Sequence, residues 1–112
     1  LVEGLINTVN YTMMHDSFNQ IKIGVSSNWE ARKKNHERNG WKTIDAKPGS
    51  LKQERIVKDV IKEFGIKHVP SSSEQYTITT ELINLLISLD WVGVKENKNR
   101  LLTKDQQISF EY

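Results

Sequence analysis

The sequence predicts an α+β fold: a small central antiparallel sheet of three strands flanked by helices. Three observations point there. Two β-favouring runs, near residues 9–13 and 21–25, are separated only by a short polar turn. Two later segments open on a serine with Glu or Gln three residues on, the mark of a helix N-terminus. A Leu- and Ile-rich run over residues 82–89 reads as a helix buried on most sides. At 112 residues the chain suffices for one buried core. Residues 1–90 are expected to form it, and residues 91–112 an extension or the start of a linker to a further domain.

The first strand is expected over residues 5–15, which mix Ile6, Val9, Tyr11, Thr12 and Met13. Asp16, Ser17 and Asn19 supply turn chemistry. Ile21, Ile23 and Val25 then alternate with Lys22 and Gly24, a period of two that predicts the returning strand of a hairpin. Ser27, with Glu30 three residues on, predicts a capped helix over residues 28–39 that stops at Gly40. That helix holds only Trp29 and Ala31 as apolar members, so it lacks the stripe that normally seats a surface helix. Its polar face must serve another purpose or lie loosely. Residues 41–46 read as the third strand. Ser50 and Gln53 form a second capping box, and Ile56, Val57, Val60, Ile61 and Phe64 an expected apolar face ending at Gly65. Residues 75–79 suggest a further short strand, after which Thr79 or Thr80 opens the third helix. Beyond Trp91, residues 101–102 and 108–112 either pack back or lead onward.

No run of 18 or more apolar residues is present, so no transmembrane helix and no membrane partner are expected. The chain has no cysteine, which removes disulfides, zinc–thiolate centres and thiol nucleophiles. Its absence fits a reducing compartment, and a cytoplasmic location is the expectation. The chain starts at Leu1 with no signal-peptide pattern, which suggests a piece of a longer protein. Net charge is only +2, but residues 31–55 carry eight cations against three acids, a local +5. Such a patch is either a solvated lysine-rich face or the electrostatic footprint of a polyanion.

Glu54 stands out on the second helix. Ile61, seven positions on, lies only about 20° away around the helix, so Glu54 sits on the line of the buried face. It is either a first-turn acid favoured by the helix dipole or a metal ligand at a cleft edge. Arg32 and His36, four apart, share one face of the polar helix. They form a phosphate-facing ridge or an exposed surface without a role. Tyr11 is either a core aromatic or a catalyst.

The order and spacing of these residues add a constraint. Val9-Asn10-Tyr11 precedes Lys22-Ile23-Gly24, with Arg32 on the next helix and Glu54 on the one after. This series, over residues 6–78, resembles the GIY-YIG nuclease superfamily. The stretch IKIGVSSNWEAR is similar to its phage-type branch, in which Lys-Ile-Gly replaces Tyr-Ile-Gly. Glu54-Arg55 matches a Glu-Arg pair of that branch, and Ser73-Glu74-Gln75-Tyr76 echoes its Ser-Glu-aromatic signature. Lys58 stands where the branch often carries a His, and Asn10 where the family prefers an apolar residue. The resemblance implies a DNA endonuclease acting with Mg²⁺, or Mn²⁺ in its place, held by Glu54. Arg32 would contact the phosphate, and Tyr11 would activate water with its pKa depressed by a nearby cation. Lys22 would be that cation or a base, and His36 would contact phosphate or shuttle a proton. Lys33, Lys34, Arg38 and Arg55 would bind DNA.

The chemistry has a rationale of its own. Phosphodiester hydrolysis needs an activated water, neutralised phosphoryl oxygens and a stabilised leaving oxygen. One Mg²⁺ on a single carboxylate keeps coordination sites for water and phosphate. Two other classes stay open: a nucleic-acid-binding module of the same fold without catalysis, and a structural or protein-interaction domain. No small-molecule substrate is expected.

Overall fold

The computed structural model describes residues 8–102. Its centre is a four-stranded antiparallel sheet in the order β3-β1-β2-β4, built from β1 (Val9–His15), β2 (Gln20–Ser26), β3 (Lys42–Pro48) and β4 (Gln75–Thr77). The helices are α1 (Trp29–Arg38), α2 (Leu51–Glu63), α3 (Thr80–Ser88) and a short α4 (Lys98–Leu101). The α+β class stands, but the expected three-stranded sheet is corrected to four. β4 contributes only three residues, with Ile21 opposite Tyr76, and the Ile23 N–H donates to the Glu74 carbonyl just outside it at 2.9 Å. The proposed strand residues 5–7 and the segment 108–112 lie outside the described residues.

The hairpin register sorts β1 and β2 by parity. Tyr11 faces Gly24 and Met13 faces Lys22 on one side of the sheet, while Thr12 faces Ile23 and Met14 faces Ile21 on the other. The second side carries the main core: Ile21, Ile23, Tyr76 and Ile78 pack with Val57 and Ile61 of α2 and Leu82, Ile83 and Leu86 of α3. The first side carries a smaller cluster of Tyr11, Met13 and Trp41, closed by Trp29 of α1. Trp41 and Ala46 differ in parity yet join the same cluster. A bulge explains this: the β1–β3 register shifts between Thr12 and Met13, and Ile44 goes to the main core.

Helix termini decide two expectations differently. Ser50 caps α2 as read, its Oγ accepting from the Gln53 N–H at 3.2 Å while the Gln53 side chain accepts from the Ser50 N–H at 2.9 Å. The Ser27–Glu30 box does not form. Asn28 is the N-cap of α1 without a side-chain bond, and Ser26 Oγ instead accepts from the Asn28 N–H at 3.0 Å. Gly40 and Gly65 stop α1 and α2 with positive φ, as expected.

The apolar face of α2 also needs correction. Ile56 and Phe64 are 51% and 61% exposed, whereas Glu54 joins Val57 and Ile61 as a buried member at 7%. The core does not end at residue 90. Trp91, Val94, Leu101 and Leu102 belong to the main cluster, and Thr12 Oγ1 donates to the Val92 carbonyl. No helix among the described residues is long and apolar enough to cross a membrane.

Candidate active site

The smaller cluster carries the site. Tyr11 is fully buried on β1, its ring stacked on Trp29 at 4.8 Å between centroids. Gly24, directly opposite, lets the ring lie flat on β2. A Cβ there would sit 2.5 Å from Tyr11 Cζ and 2.8 Å from Glu74 Oε2. The glycine therefore seats the tyrosine.

α1 bridges over this floor, which accounts for its polar composition. Trp29 and His36, seven apart, fall on its inner side, and both are half-buried. His36 Nε2 lies 3.3 Å from the Tyr11 hydroxyl, and His36 Nδ1 lies 3.2 Å from Lys22 Nζ. Lys22 is itself buried and rests on the Trp41 ring, Nζ 4.4 Å from its centroid. As an ammonium, Lys22 can only donate, so Nδ1 accepts, and in the neutral ring Nε2 carries the hydrogen toward Tyr11. Burial, then the charges of Lys22 and Arg32, push the His36 pKa down to about 4, which keeps the ring neutral near pH 7. Lys22 is likewise lowered by burial, an effect that Glu74 opposes and Arg32 adds to.

Arg32 is exposed on α1, and its positive charge bears on the Tyr11 hydroxyl. Its surroundings include a shallow cavity of about 280 Å³ shared with Ser26, Ser27, Asn28 and Asn35, polar enough for an oxyanion. The expected lowering of the Tyr11 pKa is corrected. Burial and the Glu74 carboxylate push it up to about 12, outweighing the charge of Arg32. The cations are present, but the phenol is dry and faces an acid.

Glu54 makes its direct bond elsewhere. Its Oε2 accepts from Lys58 Nζ at 2.9 Å, an i,i+4 pair with both side chains largely buried. Its charge still reaches Tyr11 and Tyr76, adding to the rise in both. Tyr11, His36 and Lys22 thus meet in one bonded group, with Arg32 and Glu54 acting on it through their charges. Of the residues expected on DNA, Lys33 is half-buried, and Lys34, Arg38 and Arg55 are exposed. Lys34 and Arg38 share the outer side of α1 with Glu37.

Three contributors stand outside the residues singled out for chemistry: Glu74, Trp29 and Trp41. Glu74 lies in the Ser-Glu-aromatic stretch, so a signal existed. Trp29 is the only large apolar residue of the polar helix, and that isolation marked it. Trp41 stands just before β3, and nothing in its local sequence distinguishes it from a core residue.

No protein-family model matches the chain, nor does any curated protein or solved structure.

Proposed function

We propose that this chain is a nucleic-acid phosphodiesterase domain, an endonuclease acting on DNA in the manner of the GIY-YIG superfamily that it resembles. The observation carrying this reading is the chain from Lys22 through His36 to the oxygen of one buried tyrosine, with the charge of Arg32 acting on the same oxygen. A purely structural tyrosine needs one partner for its hydroxyl. This one is met by the His36 imidazole backed by Lys22, with the Arg32 charge favouring a phenolate against the burial and the Glu74 charge that keep the phenol protonated.

The residues fit a metal held mostly by water and phosphate oxygens. Glu54 offers one hard carboxylate, and no cluster of three His, Cys, Asp or Glu occurs among the described residues. Such an ion, Mg²⁺ or Mn²⁺, would supply charge neutralisation and a polarised oxygen. The rest falls to the chain. Arg32 is long and exposed, and an incoming phosphate draws its guanidinium off the tyrosine and onto the nonbridging oxygens. That movement uncovers the Tyr11 hydroxyl, which then faces the attacking water. His36 holds the tyrosine oxygen through Nε2, and Lys22 fixes the His36 tautomer through Nδ1. Glu74 sets the proton balance, since its charge favours the phenol.

Nicking of supercoiled plasmid with Mg²⁺ tests the reading. Wild type should cut and Glu54→Ala should not. Arg32→Ala should be slower by about 10²–10³, the value of one electrostatic donor to the transition state. Tyr11→Phe should fold and cut poorly. Equal cutting by Glu54→Ala overturns the metal assignment.

One observation favours a second reading, a nucleic-acid-binding module without catalysis: Tyr11 is fully buried and held protonated. Wild type that binds DNA but cuts nothing with any divalent ion would establish it.

A further inference from the structure

A second cationic surface lies beyond the basic stretch of residues 31–55. On α2, Glu54, Lys58 and Lys62 follow one another at four-residue steps, so the two lysines continue the line that Glu54 begins. After Gly65 the chain turns back, and Lys67, His68 and Ser73 face Lys58 and Lys62 across a cavity of about 560 Å³. The Tyr76 ring and Ile66 form its floor. His68 is fixed there, its Nδ1–H donating to the Val69 carbonyl at 2.7 Å and its ring edge-on to Tyr76. Among the described residues, Asp59 is the only acid lining this cavity. Lys58 is engaged with Glu54, but no ion pair among the described residues involves Lys62 or Lys67. Two exposed, unpaired ammonium groups thus flank a partly apolar floor at the end of a line leading to Glu54.

We propose that this groove between α2 and residues 65–73 holds the sugar–phosphate backbone of a nucleic-acid strand and leads it toward Glu54. Lys62 and Lys67 take its phosphates, and Ile66, lying over the buried Tyr76, bears on its sugars or bases. A strand fits where a single small anion does not, because the cations are spread along the groove and the floor between them is apolar. The proposal rests on the nucleic-acid reading above and adds a path that the sequence patch omits.

The test is the double variant Lys62→Ala/Lys67→Ala, compared with wild type, with Lys33→Glu/Lys34→Glu and with Lys95→Ala. Binding of a fluorescent 30-base-pair DNA duplex is measured by anisotropy from 50 to 200 mM salt. Two lost phosphate contacts should reduce the log–log salt slope by about 1.8, so the affinity lost across that range shrinks roughly tenfold. Lys95→Ala should match wild type. Amide resonances of residues 67, 68 and 73 should shift when the duplex is added to unaltered protein, a readout that needs no variant. An unchanged slope and affinity in the double variant, with Lys33→Glu/Lys34→Glu still weakening binding, overturns the groove and leaves the nucleic-acid reading standing. Wild type that binds no DNA at any salt overturns both.

Discussion

Gly24→Ala probes the geometry on which the site depends. The φ of Gly24 lies outside the left-handed region, so alanine meets no backbone strain. Elsewhere in a strand the change would stabilise by about 0.5–1 kcal/mol, because glycine loses more freedom on folding. Here the new methyl would enter the Tyr11 hydroxyl and Cζ, with Glu74 Oε2 at 2.8 Å. Glu74 can move, since its carboxylate ends a flexible side chain. The tyrosine cannot: its ring is fully buried, stacked on Trp29, and tied at the hydroxyl by His36. Overpacking of a rigid site costs about 1–3 kcal/mol. A net destabilisation of about 2 kcal/mol corresponds to a fall in Tm of roughly 8–16 °C for a domain of this size. Thermal melts followed by circular dichroism measure it, with tryptophan fluorescence reporting the displacement of Trp29. The control is the same change in a Tyr11→Leu background, where the obstacle is gone and alanine should be neutral or stabilising. A Gly24→Ala variant as stable as wild type would mean that the tyrosine does not lie across this glycine, and the site built on it would fall.

Two further outcomes follow from the charges. His36 has its folded pKa lowered to about 4 from 6.5, so below pH 6.5 the unfolded chain takes up the proton more readily. The stability from the neutral ring is complete above pH 6.5 and is lost as pH falls toward 4. Allowing for partial exposure and solvent screening, this is on the order of 1–2 kcal/mol. Urea melts of wild type and His36→Gln at pH 7, 5.5 and 4.5 should converge, and a pH-independent difference would contradict the buried neutral imidazole. The other outcome concerns Glu74, whose charge helps push the Tyr11 pKa up to about 12. Glu74→Gln should lower that pKa. Titration of ¹³C-labelled tyrosine ring carbons by NMR measures it, and an unmoved Tyr11 would remove Glu74 from the site.

What the sequence disclosed tracks how local each cause is. The β1–β2 hairpin is legible because alternation and turn chemistry sit within one stretch, and the start of α2 because Ser50 and Gln53 are three apart. Glu54 was placed on the buried line by helix geometry alone, and it lies there. Ile56 and Phe64 were misplaced because an apolar residue only marks a candidate face; which flank meets the sheet is a tertiary matter. Residues 75–79 suggest a short strand, but its place in the sheet does not follow, because three residues carry too short a pattern and pairing with β2 defines it. The same holds for Tyr11. Its neighbours Lys22 and Arg32 were foreseeable and argued for a lowered pKa. Complete burial and Glu74 reverse the sign; a string of residues marks Glu74 through its Ser-Glu-aromatic stretch but shows neither the burial nor that this carboxylate lies against Tyr11.

The composition of α1 carries the last step. A helix that merely covers a sheet face gains about 1.5–3 kcal/mol for each leucine it buries. α1 forgoes this: apart from Trp29, its half-buried positions are Lys33 and His36, and none of its residues is fully buried. The sheet beneath is equally unusual, for Lys22 is buried in β2 where an isoleucine would pack without any charge to desolvate. Lys22 and His36 are each a poor choice alone, and they satisfy each other only because Tyr11 lies at the end of the chain they form. The opposite face, with α2 and α3 over Ile21 and Ile23, carries the apolar burial that sustains the fold. Apolar burial on one face and a buried, mutually bonded polar group on the other is the division expected where a site rather than the core sets the residues.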